Sequence, residues 1–254
     1  MTDRITLYRA PTAEADVDAI AGWLRERTER EVRVRDRFLD VHRREGLPER
    51  FAAARVLDPY DRETGTDMLE SSATRSARSR IPNVRGRTLR RRRDPARAQR
   101  RASRGERHLS HLHVPLLDRA IATWGDHDNR WHKRVNVLGQ PALVSVPGLY
   151  EAPAKPEAYY QEKGRHAMLT GDSPPREVLE NEIEGDFLIA EDPRTTDALK
   201  GYVLQALDYV ETGEPFCDDE CCRLYNAHRQ PELIEAQLRE PEFCTEHAGT
   251  YETG

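Results

Sequence analysis

All four cysteines of this 254-residue chain fall within its last forty residues: Cys217, Cys221 and Cys222 in FCDDECC, and Cys244 in PEFCTEH. His247 completes a Cys-x-x-His pair with Cys244. In a reducing cytoplasm disulfides are disfavoured, so thiols clustered in this way point to a metal. A tetrahedral zinc site would take Cys217, Cys222, Cys244 and His247, with thiolates supplying most of the affinity and one imidazole completing the four. Cys221 is the alternative to Cys222, and His228 is a reserve ligand. Buried thiols or a redox pair are the competing possibilities. A closed four-ligand site leaves no coordination position for a substrate, so by itself it argues for stability rather than catalysis.

Two histidine groups could supply a second metal centre. His108, His111 and His113 lie in HLSHLH; Asp126, His127, Asp128 and His132 lie in WGDHDNRWH. His127 and His132 are the catalytic candidates on this alternative. Their spacing speaks against it. His111 and His113 share a strand face, but His127 and His132 share no helix face, and no Glu stands between histidines four apart. Surface or hydrogen-bonded histidines are the default expectation. Glu177, Glu180, Glu182 and Glu184 read as a solvated helix face, and Trp124 and Trp131 as packing anchors. The sequence holds neither a Gly-rich phosphate loop nor a nucleophile elbow.

The elements that must carry these residues read as α/β (α+β). Ile5 to Tyr8 form a short apolar run, Val17, Ile20, Ala21 and Leu24 recur at helical spacing within residues 13–28, and Val32 and Val34 then alternate with charges. That is a β-α-β opening. The window 134–146 reads as a hairpin or two neighbouring strands, and Pro147, Pro153 and Pro156 mark a loop. Residues 175–190 read as a helix begun by Pro175. A last helix, capped by Thr195, Thr196 or Asp197, carries Leu199, Val203, Ala206, Leu207 and Val210 on one face before Gly213 and Pro215 end it. The expected organisation is an N-terminal part over 1–70, an arginine-rich segment over 71–107, and a third part over 108–254 whose tail, 212–250, binds zinc.

Charge is sharply segregated. Residues 71–107 hold 14 arginines and two acids, while the remaining 217 residues hold 26 basic and 43 acidic side chains. The acidic, lysine-poor remainder is halophile-like, since salt screens its self-repulsion. The basic segment lacks large apolar residues in any period and cannot build a core. It reads as a frame-shifted stretch, a disordered linker, or an arm attracted to nucleic-acid phosphates; without aromatics it has no means of reading bases, which disfavours nucleic acid as a partner. A mean hydropathy of −0.83 and the lack of any long apolar run exclude a membrane span. The opening MTDRITLYRAP has charges where an export signal needs an apolar core, so a cytoplasmic location is expected.

The tail also carries a family likeness. Gly213-Glu214-Pro215-Phe216-Cys217, then Cys222, Leu224 and Asn226, then Pro241 to His247, resembles the C-terminal signature of the archaemetzincins. In that zinc metallopeptidase family a helix bearing H-E-x-x-H runs through a Gly to a third His followed at once by Cys. Further cysteines and a Met then build a second zinc site. The resemblance places Cys217 and Cys222 at the first cysteine positions, Leu224 at the Met, and His247 at the last Cys. It implies a metzincin-like mixed sheet with helices and a C-terminal Cys/His zinc knuckle. The peptidase residues are not kept: the third-His position is Phe216, and the H-E-x-x-H positions hold Ala206, Leu207 and Val210. The expectation is a catalytically degenerate relative that binds a peptide or protein in the groove a peptidase would use. No residue pattern sets an oligomeric state.

Overall fold

The computed structural model describes residues 2–10, 12, 14–42, 54–56, 58–62, 88–90 and 110–252. Apart from Thr88–Arg90, the arginine-rich segment 71–107 lies outside the described residues, as does His108.

The opening forms the expected β-α-β unit. Strand β1 (Arg4–Tyr8) leads into helix α1 (Val17–Arg27), and strand β2 (Glu31–Arg35) returns parallel to β1. Asp16 starts α1 by accepting the backbone N–H groups of Asp18 and Ala19, both at 3.0 Å. A short helix α2 (Phe38–Val41) follows. Strand β5 (His111–Leu117) lies parallel on the other side of β1. Strands β8 (Asn136–Val137) and β9 (Leu143–Ser145) form the expected hairpin, with β9 parallel to β5. The result is a five-stranded sheet, β2-β1-β5-β9-β8, in which only the edge strand β8 runs antiparallel. A second sheet joins β3 (Arg55–Val56), β4 (Thr88–Arg90), β6 (Ile121–Gly125) and β7 (Arg130–Arg134) in the order β3-β4-β6-β7.

Alternation sorts β1 and β5 into two unlike faces. Ile5, Leu7, Leu112, Val114 and Leu116 join one apolar core with Ile20, Ala21 and Leu24 of α1. Each such fully buried aliphatic side chain contributes roughly 1.5–3 kcal/mol. Thr6, Tyr8, His111 and His113 point to the other face and are buried as well.

After the sheet come α3 (Gly148–Glu151), α4 (Glu157–Thr170), α5 (Arg176–Glu182), α6 (Thr195–Glu211), α7 (Gln230–Leu238) and α8 (Thr245–Tyr251). Helix α6 is the central one. It packs on α1, α7 and β5, burying Leu199, Val203, Leu204, Ala206 and Leu207. Among the described residues no helix is long and apolar enough to cross a membrane.

Three local expectations are corrected. The helix expected over 175–190 stops at Glu182, because Ile183 turns extended and Gly185 takes φ 146°, which brings Phe187 and Leu188 inward. No side chain among Thr195, Thr196 and Asp197 caps α6; Arg194 holds the cap position, and Asp192 accepts its backbone N–H at 2.9 Å. Of the three prolines read as one loop, Pro153 does lie in the non-helical stretch between α3 and α4, whereas Pro147 and Pro156 stand at the starts of those helices.

Candidate metal centre

Two short segments bring the C-terminal ligands together. Gly213, at φ 83°, turns the chain out of α6, and the loop after it folds back on itself. In that loop Cys217 N–H donates to Leu224 O at 3.1 Å, Cys222 N–H to Asp219 O at 3.0 Å, and Tyr225 N–H to Cys222 O at 2.8 Å. The second segment is the start of α8, where Cys244 stands at the cap and His247 lies three residues on, on the same helix face.

The four donor atoms of Cys217, Cys222, Cys244 and His247 lie within 4.8 Å of one another. Cys217 Sγ is 3.8 Å from Cys244 Sγ; His247 Nδ1 is 3.8 Å from Cys222 Sγ and 3.2 Å from Cys244 Sγ. Zn–S bonds of about 2.3 Å in a tetrahedron set sulfur atoms about 3.8 Å apart, so the donor set fits zinc in both chemistry and size. Cys221 is not among them. Its Sγ points to Glu235 Oε1 at 3.6 Å. His228 is exposed, and its backbone N–H donates to Glu232 at 2.8 Å.

The two ligand segments are tied together behind the cluster. Arg223 N–H donates to Glu242 O at 3.0 Å, and the Arg223 guanidinium pairs with Glu242 Oε1 at 2.7 Å in the interior. The same carboxylate accepts Trp23 Nε1–H at 3.0 Å and Arg27 at 2.7 Å, which anchors both segments to α1. Gly201 allows α6 to come close: a Cβ there would meet Arg223 O at 2.6 Å and Gln237 Oε1 at 2.1 Å. Nothing local in the sequence marks Arg223, Glu242 or Gly201 for this work.

Burial sets the thiols' protonation. It pushes Cys222 up to about 12 and Cys217 upward. Burial also pushes Cys244 up, but hydrogen bonds from His247 and Cys217 outweigh it and hold that thiol at about 7. Cys244 is therefore the thiol readiest to ionise, and metal uptake must displace the protons of the other two.

Asp208 on α6 accepts the hydroxyl of Tyr251 on α8 and fixes the helix that bears His247. Burial pushes its carboxyl up to about 6, against an ordinary value of about 3.9. The folded state therefore binds a proton more readily than the unfolded one. Stability falls as pH rises from about 4 to 6 and stays reduced above that. Asp208→Asn should accordingly raise the unfolding free energy by about 1–3 kcal/mol at pH 7, with the gain vanishing near pH 4. Urea melts at both pH values check this, and an equal effect at each would contradict it.

The histidine candidates sit elsewhere. His127 and His132, which no regular face unites, are brought together with Asp128 by the turn between β6 and β7. Trp124 and Trp131 face each other across that hairpin with ring centroids 5.5 Å apart, as packing anchors would. His111 Nε2 lies 2.8 Å from Thr6 Oγ1, while the Tyr8 hydroxyl lies 2.7 Å from His113 Nδ1 and 2.9 Å from His42 Nε2. Residue spacing marks neither Tyr8, which reads as the end of an apolar strand, nor His42 as a site residue, although the polar-apolar alternation of β1 points Tyr8 to that face.

A model of the family of unknown function DUF7001 matches residues 6–250. The chain belongs to that family. No curated protein matches it. Among solved structures, this DUF7001 chain is similar to a zinc-dependent peptidase from Methanocorpusculum labreanum at 12% identity and TM-score 0.44, covering 97% of this chain and 98% of that one. It is also similar to an archaemetzincin from Methanopyrus kandleri at 14% identity and TM-score 0.42, covering 98% of this chain and 92% of that one.

In the DUF7001 chain, the positions that the tail resemblance aligns with the peptidase residues hold no metal donor and no base. Ala206 and Leu207 lie in the core, Val210 packs against it, and Phe216 is partly exposed.

Proposed function

We propose that this protein is a zinc-binding, non-catalytic relative of archaemetzincin-type metallopeptidases that keeps a structural zinc site and binds a peptide or protein. The observation that carries it is the convergence of Cys217, Cys222, Cys244 and His247 into one tetrahedron-sized cluster. Zinc held there would cross-link the turn after α6 to the start of α8 and, with four protein ligands, have no position for a reacting water. The apolar residues at 206, 207 and 210 support the loss of hydrolysis, because peptidase chemistry needs an open zinc and a carboxylate to activate water. Four free cysteines, three of them gathered as metal ligands, support a cytoplasmic location, where disulfides are disfavoured.

The decisive experiment measures zinc content and peptide hydrolysis on the full chain. We expect one tightly held zinc and no turnover of a fluorogenic peptide library above the chelated control. Chelator-sensitive hydrolysis would overturn the proposal. If that hydrolysis also disappeared in His132→Ala, the second possibility, a hydrolase built on His127 and His132, would take its place.

A further inference from the structure

We infer that His127, Asp128 and His132 form a second, exposed site for a borderline divalent cation, separate from the cysteine cluster. Their donor atoms lie within 4.8 Å of one another, at the tip of the β6–β7 hairpin. The turn spans Asp126 to Asn129, with Asn129 left-handed at φ 51°, and the Gly125–Arg130 pair closes it. This folds Asp128 back over the strand pair, so that its carboxylate lies 2.8 Å from His132 Nε2 and 3.7 Å from His127 Nε2. The two imidazoles stack with centroids 5.7 Å apart.

The backbone beneath is shaped to admit this cluster. A Cβ on residue 125 would stand 2.5 Å from Asp128 Oδ1 and 2.7 Å from His132 Nε2, so only glycine leaves the carboxylate and the ring room to converge. Gly125 itself has φ outside the left-handed region, so turn geometry does not require a glycine there. Arg130 Nε donates to Asp128 Oδ2 at 2.8 Å and orients the carboxylate, whose two oxygens lie 2.8 and 2.9 Å from His132 Nε2, with Oδ1 also turned toward His127. Two imidazoles and one carboxylate select zinc, nickel, copper or cobalt over magnesium or calcium. With three protein donors on an exposed turn, the remaining coordination positions belong to water, unlike those of the closed thiolate cluster.

Cobalt(II) added to the untagged, metal-stripped full chain separates the two sites. Bound by thiolates it gives an intense sulfur-to-metal charge-transfer band; bound by nitrogen and oxygen it does not. We expect one equivalent with that band and a second without it. His132→Ala and Asp128→Asn should each remove the second and leave the first intact. Gly125→Ala should weaken the second by about tenfold or more with no change in the thiolate band. Uptake confined to the band-forming equivalent, or a second equivalent that survives both His132→Ala and Asp128→Asn, would overturn the inference.

Discussion

Replacing Cys244 by serine should abolish zinc binding at the C-terminal cluster and lower the unfolding free energy by more than about 4 kcal/mol, as loss of a structural metal does. Structural zinc contributes ~10–16 kcal/mol in finger peptides, which have almost no core of their own. Here the sheet and helices α1 and α6 share an apolar core built mostly from residues other than the ligands, so only part of that free energy is at stake. Cys244 is the most consequential of the four ligands. Its sulfur lies near both Cys217 and His247, and it is the thiol that ionises most readily. Zinc content by colorimetric release, with thermal melts in the presence and absence of chelator, would test this. Cys221→Ser is the matched control and should retain both zinc and stability, because its sulfur faces Glu235. Undiminished zinc in Cys244→Ser, or equal losses in the two variants, would contradict the ligand set.

Glu242→Ala should cost about 3–5 kcal/mol, the range for breaking a buried ion pair from one side. The Arg223 guanidinium is buried and the Glu242 carboxylate is its close partner; without it a cation remains stranded in the interior. Trp23 Nε1–H and Arg27 lose their acceptor as well. Glu242→Gln, which keeps an acceptor for Trp23, should cost less. The pair also has a pH signature. Burial pushes Glu242 upward, but Arg223, Arg27 and Trp23 outweigh it and leave the carboxyl below its ordinary range. A depressed carboxyl lends stability that is complete above the unfolded value of about 4.3 and is lost as pH falls through the folded value. Urea titrations at pH 7 and pH 3 should therefore show a large difference between wild type and Glu242→Ala at the first and a smaller one at the second. A cost below about 1 kcal/mol at pH 7 would show that the network is not structural.

What could be read from the sequence, and what could not, divides by range. Cys217, Cys222, Cys244 and His247 were visible because metal ligands cluster at short spacings, and the β1-α1-β2 unit because its periods of two and 3.6 are clean. Choosing Cys222 over Cys221 depends on the fold-back of the 217–225 loop, which no spacing rule supplies. Helix α4 was hidden because Tyr159 alone of its residues is buried, too thin a stripe to register. The β6–β7 hairpin was hidden by Arg130, Lys133 and Arg134, whose charges blur the alternation of β7. His127 and His132 converge through that hairpin and not along one element, so face arithmetic kept them apart. Glu242 meets Trp23 across 219 positions of chain, where no local signal exists.

The inward face of α6 limits which side chains positions 206 and 207 can accept. Ala206 and Leu207 lie among Leu204, Val203 and other aliphatic side chains with almost no surface left exposed. Placing an imidazole and a carboxylate there would bury two hydrogen-bonding groups among apolar neighbours, at about 2–7 kcal/mol for each left unpaired. Either substitution alone would therefore remove a large part of the roughly 5–15 kcal/mol by which a domain is stable. The packing of one helix thus acts as a filter: the core that α6 completes admits aliphatic side chains at 206 and 207 and resists the polar groups that metal-assisted hydrolysis would need.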